Sequence, residues 1–241
     1  MSRARFTRAD LESFRGAKVD DLIEPGVRLL FVGINPGLWT AAANAHFARP
    51  GNRFWPALQL AGITRDRMDM SGGMSAADRA ELIAVGVGIT NLVPYATARA
   101  DELTTPQIRA AAAALTATVR RFEPRVVAVL GLTAYRQAFG RPKASPGRQP
   151  DDLAGAQLWV LPNPSGLNAH ETAASLGVAY REPALAAGVP LVRCARRRPA
   201  TPARPAPLAP GPLIKPAPSR ALLDSARKDQ RSPGRSSPRG G

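Results

Sequence analysis

One cysteine, Cys194, and two histidines, His46 and His170, are the only thiol or imidazole ligands in the 241 residues. That scarcity excludes an internal disulfide framework, a Cys-ligated iron–sulfur cluster and a Cys-rich zinc site, each of which needs several such side chains. No metal and no other cofactor is expected. Long apolar runs are missing as well. Nowhere do about 18 consecutive apolar residues occur, the minimum for a membrane-spanning helix, and no apolar run follows the N-terminal arginines, as a secretory signal requires. The chain therefore reads as cytoplasmic, with no membrane partner. It also lacks the P-loop pattern and a G-x-G-x-x-G fingerprint, which disfavours nucleotide hydrolysis and dinucleotide binding, and no internal repeat is visible.

Acidic residues are the other shortage: 18 Asp+Glu stand against 33 Lys+Arg, a net charge of +15. The excess is uneven. Residues 196–241 hold eleven basic residues, two acids and ten prolines, with few aromatic or β-branched side chains. Such a segment cannot bury enough surface to offset its ordering entropy, so a disordered basic tail is expected. It is either a solubilising extension or an arm that raises non-specific affinity for nucleic acid. The expected organisation is an extension over 1–24, one globular domain over 25–195 and the tail over 196–241.

Within that domain, apolar runs bounded by breakers alternate with longer helical patterns. Residues 27–33 (VRLLFVG), 125–130 (RVVAVL) and 157–161 (QLWVL) read as buried strands, and 87–92 as a fourth. Residues 52–61, 75–84, 105–122, 133–139 and 169–187 read as helices, with Pro106 suited to a first helical turn. Strands separated by helices require crossover connections. The expected fold class is α/β: a three-layer α/β/α arrangement around a short, mostly parallel central sheet.

In such sheets ligands bind beyond the carboxyl ends of the strands, and two loops there have unusual composition. Residues 33–38 (GINPGL) constrain the backbone around one amide, and residues 162–168 (PNPSGLN) present a leucine from a polar turn. From composition alone each is either an ordinary turn or part of a site.

Together with HFARPGNRFW at 46–55, GITNLV at 88–93 and AVLGLTAY at 128–135, the segments FVGINPGL (31–38) and LPNPSGLNAH (161–170) carry a specific pattern. Over roughly residues 25–188 the chain resembles the mismatch-specific uracil/thymine-DNA glycosylase family, within the uracil-DNA glycosylase superfamily. The resemblance implies that Asn35 is the catalytic asparagine that positions the attacking water. An amide is a very poor base, so departure of an anionic base must carry the reaction. Backbone N–H groups of the Gly33–Ile34 loop and of the Phe47 segment are the implied donors to that anion. Phe47 is implied as the ring on which the extruded base stacks, and a core phenylalanine is its alternative. Thr40 is implied to narrow the pocket near C5 of the base. Trp39 stands where some relatives have a smaller residue.

Asn163 stands where the superfamily often has a histidine that stabilises the developing oxygen charge. Ser165, Gly166, Leu167 and Asn168 match the wedge that fills the vacated stack and contacts the guanine opposite. Leu167 could instead staple the next helix. Ala169 and His170 follow where some relatives have an arginine. His46 and His170 read as solvent-facing or hydrogen-bonded, and Asn52 as a helix cap ahead of Phe54 and Trp55.

The resemblance implies a monomeric DNA repair enzyme. It would flip uracil, with thymine and an adducted cytosine as further candidates, out of G·U or G·T pairs in double-stranded DNA and hydrolyse the glycosidic bond. Neither motif has a lysine to form a Schiff base, so no strand cleavage is expected. Two alternatives stay open: a non-catalytic module that binds damaged or single-stranded DNA, and an enzyme of the same fold acting on a free nucleoside.

Overall fold

Four short apolar runs form the centre of the sheet: β1 (Leu29–Gly33), β2 (Val87–Asn91), β3 (Val126–Leu130) and β5 (Gln157–Leu161), with the two-residue β4 (Gly147–Arg148) at one edge. The computed structural model describes residues 6–192, and the expected tail and Cys194 lie outside the described residues. The strand order is β2-β1-β3-β5-β4. All pairings are parallel except β4 with β5, which is antiparallel. β1 and β3 are buried at every position, which explains their unbroken apolar sequence: a parallel strand covered on both faces has no polar side to alternate with.

The alternation lies in which layer each residue meets. Leu29 and Phe31 of β1, with Val126 and Ala128 of β3, pack against α3 (Phe54–Ala61) and α7 (Ala173–Ala187). Leu30, Val32, Val127 and Val129 face the opposite way, toward α5 (Thr105–Phe122) and α6 (Leu132–Phe139). The three-layer α/β/α expectation is the fold observed. The short helices α1 (Arg8–Glu12) and α2 (Leu38–Ala43) and the capped α4 (Ala76–Ala84) complete the elements, along with a 3-10 turn over Ala100–Glu102.

Some boundaries differ from the sequence reading for identifiable reasons. The strand expected from 27 starts at Leu29, because the Arg28 and Leu29 amides both turn to the Gly86 carbonyl. The helix expected from 169 starts at Ala173, after Thr172 and Ser175 form a reciprocal cap. The helix expected from 52 starts at Phe54: Asn52 Oδ1 accepts the Phe54 amide, while the Arg53 amide leaves the helix axis for the Pro164 carbonyl. α2 and β4 were not foreseen. Helices α3 and α7 pack at close range because Gly177 has no side chain: a Cβ there would sit 2.8 Å from Leu60 Cβ.

The chain passes from β1 to β2 on one side and then returns through α5 to β3 on the other side of β1. That reversal opens a crevice at the carboxyl ends of the strands. The polar loops at 33–38 and 162–168 both begin there.

Candidate active site

A cleft of about 650 Å³ lies over those strand ends. Gly33, Ile34, Asn35, Thr40, Phe47, Asn163, Ser165 and Leu167 all line it, so residues far apart in sequence meet in one place. Gly166 and Asn168 do not line it. Trp39, which stands where some relatives have a smaller residue, does not line it either and makes a T-shaped contact with Phe6, ring centroids 5.1 Å apart.

Asn35 lies two residues past the end of β1, and its side chain is held by an unambiguous network. Nδ2 donates to Thr97 Oγ1 at 2.7 Å and to the Pro36 carbonyl at 3.0 Å, with the Tyr95 carbonyl at 3.4 Å. Two of these partners are carbonyls, which only accept. The third, the Thr97 hydroxyl, spends its own proton on the Arg99 carbonyl at 2.7 Å. The amide orientation is thereby fixed by its partners. Oδ1 receives no donor among the described residues and is left as an acceptor at the cleft.

Asn91 ends β2 in register with Gly33, and a second network aims it. His46 is buried, and its Nε2 lies 3.0 Å from the Asp20 carbonyl. Burial pushes the imidazole from its ordinary 6.5 down to about 4 despite that bond, so the ring is neutral and Nε2 carries the proton. Nδ1 then has only a lone pair, and Asn91 Nδ2 donates to it at 3.3 Å. Asn91 Oδ1 accordingly lies over Gly33, where a Cβ would collide with it. Gly33 leaves the room that this amide occupies. Between the two alternatives for His46, the structure selects the hydrogen-bonded one.

This burial makes a prediction. Between pH 6.5 and about 4 the unfolded chain binds a proton at His46 that the folded chain refuses. Stability should therefore fall as pH falls through that window, by about 3 kcal/mol in total, and level off below it. Urea midpoints measured from pH 7 to 4 should fall more steeply for the wild type than for His46→Gln. Equal slopes would refute the assignment.

Phe47 is half-buried and adopts φ 54°, a left-handed backbone that a bulky side chain rarely takes. Its ring stacks on Phe54 of α3 with centroids 4.1 Å apart and planes at 27°, and it lines the cleft. Backbone strain of roughly 1–3 kcal/mol is tolerated where the surroundings over-determine a residue, commonly at sites of function. The Asn35 and Phe47 amides donate to no acceptor among the described residues.

On the opposite wall Asn163 accepts the Ser165 amide through Oδ1 at 3.0 Å, which leaves Nδ2 as a donor. Leu167 is 78% exposed, so it staples no helix. Asn168 is committed to its own loop, donating to the Asn163 carbonyl and accepting the His170 amide. Sequence reasoning missed Asn91, Thr97 and Arg49; Arg49 is an exposed guanidinium on the cleft rim with no partner among the described residues.

A family model described as the uracil DNA glycosylase superfamily matches residues 21–186. Among solved structures, the chain is similar to the solution NMR structure of a candidate uracil DNA glycosylase from Methanosarcina acetivorans. The identity is 14% and the TM-score 0.46, over 70% of this chain and 97% of that one.

Proposed function

Because the chain belongs to the uracil DNA glycosylase superfamily, and so is a glycosylase that acts on DNA, we propose that its particular reaction is the excision of uracil from mispairs with guanine, with thymine and adducted cytosine as further candidates. The base is turned out of the duplex into the cleft and stacks on Phe47, a contact worth roughly 1–3 kcal/mol. Water attacks C1′ of the deoxyribose as the C1′–N1 bond breaks. The base leaves as an anion that later takes a proton from solvent, the attacking water loses one, and an abasic site remains. Asn35, an acceptor without basicity, orients the water and does not deprotonate it. Asn163 Nδ2 and the free Asn35 and Phe47 amides are the donors available to the anion.

Base identity is read at Asn91. Its Oδ1, fixed as an acceptor by the His46 tautomer, meets the imide N3–H that uracil and thymine carry and cytosine lacks. Thr40, buried beside the pocket, narrows the space for a C5 methyl and favours uracil over thymine. Leu167 fills the vacated stack, and Asn168, whose Nδ2 spends one of its two N–H groups on the Asn163 carbonyl, keeps the other for the opposite guanine. Among the described residues no lysine lines the cleft, and the reading is hydrolysis without strand cleavage.

The observation that carries this reading is the locked Asn35 amide, with its free Oδ1 in the cleft that Phe47 also lines. Single-turnover excision from G·U, A·U, G·T and G·C duplexes tests it, with alkali used to reveal abasic sites. The expected order is G·U well ahead of A·U, then G·T, with none from G·C. Equal rates on G·U and A·U would remove the mismatch preference. Binding without excision of any base would favour the non-catalytic module.

A further inference from the structure

Arg53 stands at the start of α3, yet its bonds go to the loop at 164–168. Its amide donates to the Pro164 carbonyl at 2.9 Å. Its guanidinium donates from Nη1 to the Ser165 and Asn168 carbonyls, both at 2.9 Å, and from Nη2 to the Gly166 carbonyl at 3.4 Å. No carboxylate pairs with Arg53 among the described residues. A full positive charge is therefore matched to main-chain oxygens of one loop. The same loop rests on the turn before α3, where a Cβ on Gly166 would come 2.8 Å from the Gly51 carbonyl.

We propose that Arg53 is the positioning residue of the wedge: by drawing three loop carbonyls inward, it holds the exposed Leu167 in the posture required to enter the base stack. The inference rests on the glycosylase reading above and adds to it a residue that touches neither base nor sugar. Leu167 has almost no packing of its own, so its direction must come from its backbone. The charge-assisted bonds of a planar fork supply that. A loop ordered in advance does not have to be ordered when it meets DNA, and the binding step keeps the corresponding free energy. Lysine, a point charge on a flexible stem, cannot serve three oxygens with fork geometry.

The test compares wild type, Arg53→Lys, Arg53→Met, Leu167→Ala and the double variant Arg53→Met/Leu167→Ala. Single-turnover excision is measured on a G·U duplex and on single-stranded uracil DNA, which has no stack to enter. A 2-aminopurine beside the uracil reports extrusion by its fluorescence. The expected result is a fall of at least tenfold in the duplex to single-strand ratio for Arg53→Met, a smaller fall for Arg53→Lys, and a reduced 2-aminopurine signal. In the Leu167→Ala background the Arg53→Met penalty should shrink to less than threefold, because both act through one step. A penalty that is additive with Leu167→Ala, or equal on single-stranded and duplex substrates, overturns the proposal. A Leu167→Ala variant as active on duplex as wild type refutes the wedge itself, and an inactive wild type refutes the glycosylase reading; each outcome is distinguishable from failure of Arg53 alone.

Discussion

Asn35→Ala is expected to lower single-turnover excision of uracil from a G·U duplex by about a thousandfold, within the range seen when a group that handles the reacting water or proton is removed. Duplex affinity should change little, because the side chain presents one acceptor to the cleft and its other contacts are internal. The size of the effect follows from the network. Thr97 and the Pro36 carbonyl consume the amide protons, so the free Oδ1 is already aimed before substrate arrives, and an oriented acceptor spares the reaction the entropy of organising water. Asn35→Asp is the sharper companion. A carboxylate cannot donate to the Pro36 carbonyl or to the Thr97 hydroxyl, whose proton is engaged with Arg99, so the new side chain must turn away from its seat. Activity close to wild type in either variant, by alkali cleavage of end-labelled duplex, would mean that the water is held elsewhere.

The second large effect is expected at Asn91. Asn91→Ala should slow G·U excision by about a hundredfold, the cost of leaving a buried imide N–H without its acceptor. It should also weaken discrimination between uracil and cytosine, since the carbonyl that meets N3–H is the group that would repel the lone pair on cytosine N3. The prediction extends to His46. His46→Leu fills much of the buried space with an aliphatic side chain but leaves Asn91 Nδ2 without its acceptor, so the amide is free to flip and present its donor face. Discrimination should then fall even where the fold survives. If Asn91→Ala lowers all rates in the same proportion, with base preference unchanged, Asn91 does not read the base.

The sheet was legible because buried parallel strands carry a signal along the chain: five apolar residues in a row between breakers, as in β1 and β3. Helix α5 was equally plain, with Pro106 in its first turn, and the structure adds a reciprocal cap between Thr104 and Gln107. Asn35, Phe47, Asn163 and Leu167 could be picked out from the motifs they occupy, and they converge on one cleft. Thr97 and Asn91 could not be assigned roles in the same way. Their roles depend on contacts with residues 62 and 45 positions away, which only strand order and register bring together. For Asn91 a signal was present: a polar residue closing an apolar strand at the end where ligands bind. The orientation of its amide was beyond reach, because it depends on which nitrogen of a buried histidine holds the proton. Arg53 was read as part of a helix start, and nothing local distinguishes a guanidinium that faces solvent from one that grips a loop 112 residues downstream.

At the start of helix α3, Phe54 stacks on Phe47 while the preceding residue, Arg53, holds the 164–168 loop. Protein engineers commonly treat such a loop as an interchangeable cassette, to be moved between scaffolds as a stretch of letters. Here its shape is encoded in another part of the chain. Transplanting residues 163–168 into a host without a guanidinium at the matching helix start would transfer the leucine but not its bearing, and the smallest portable unit is the loop together with the turn and helix on which it leans.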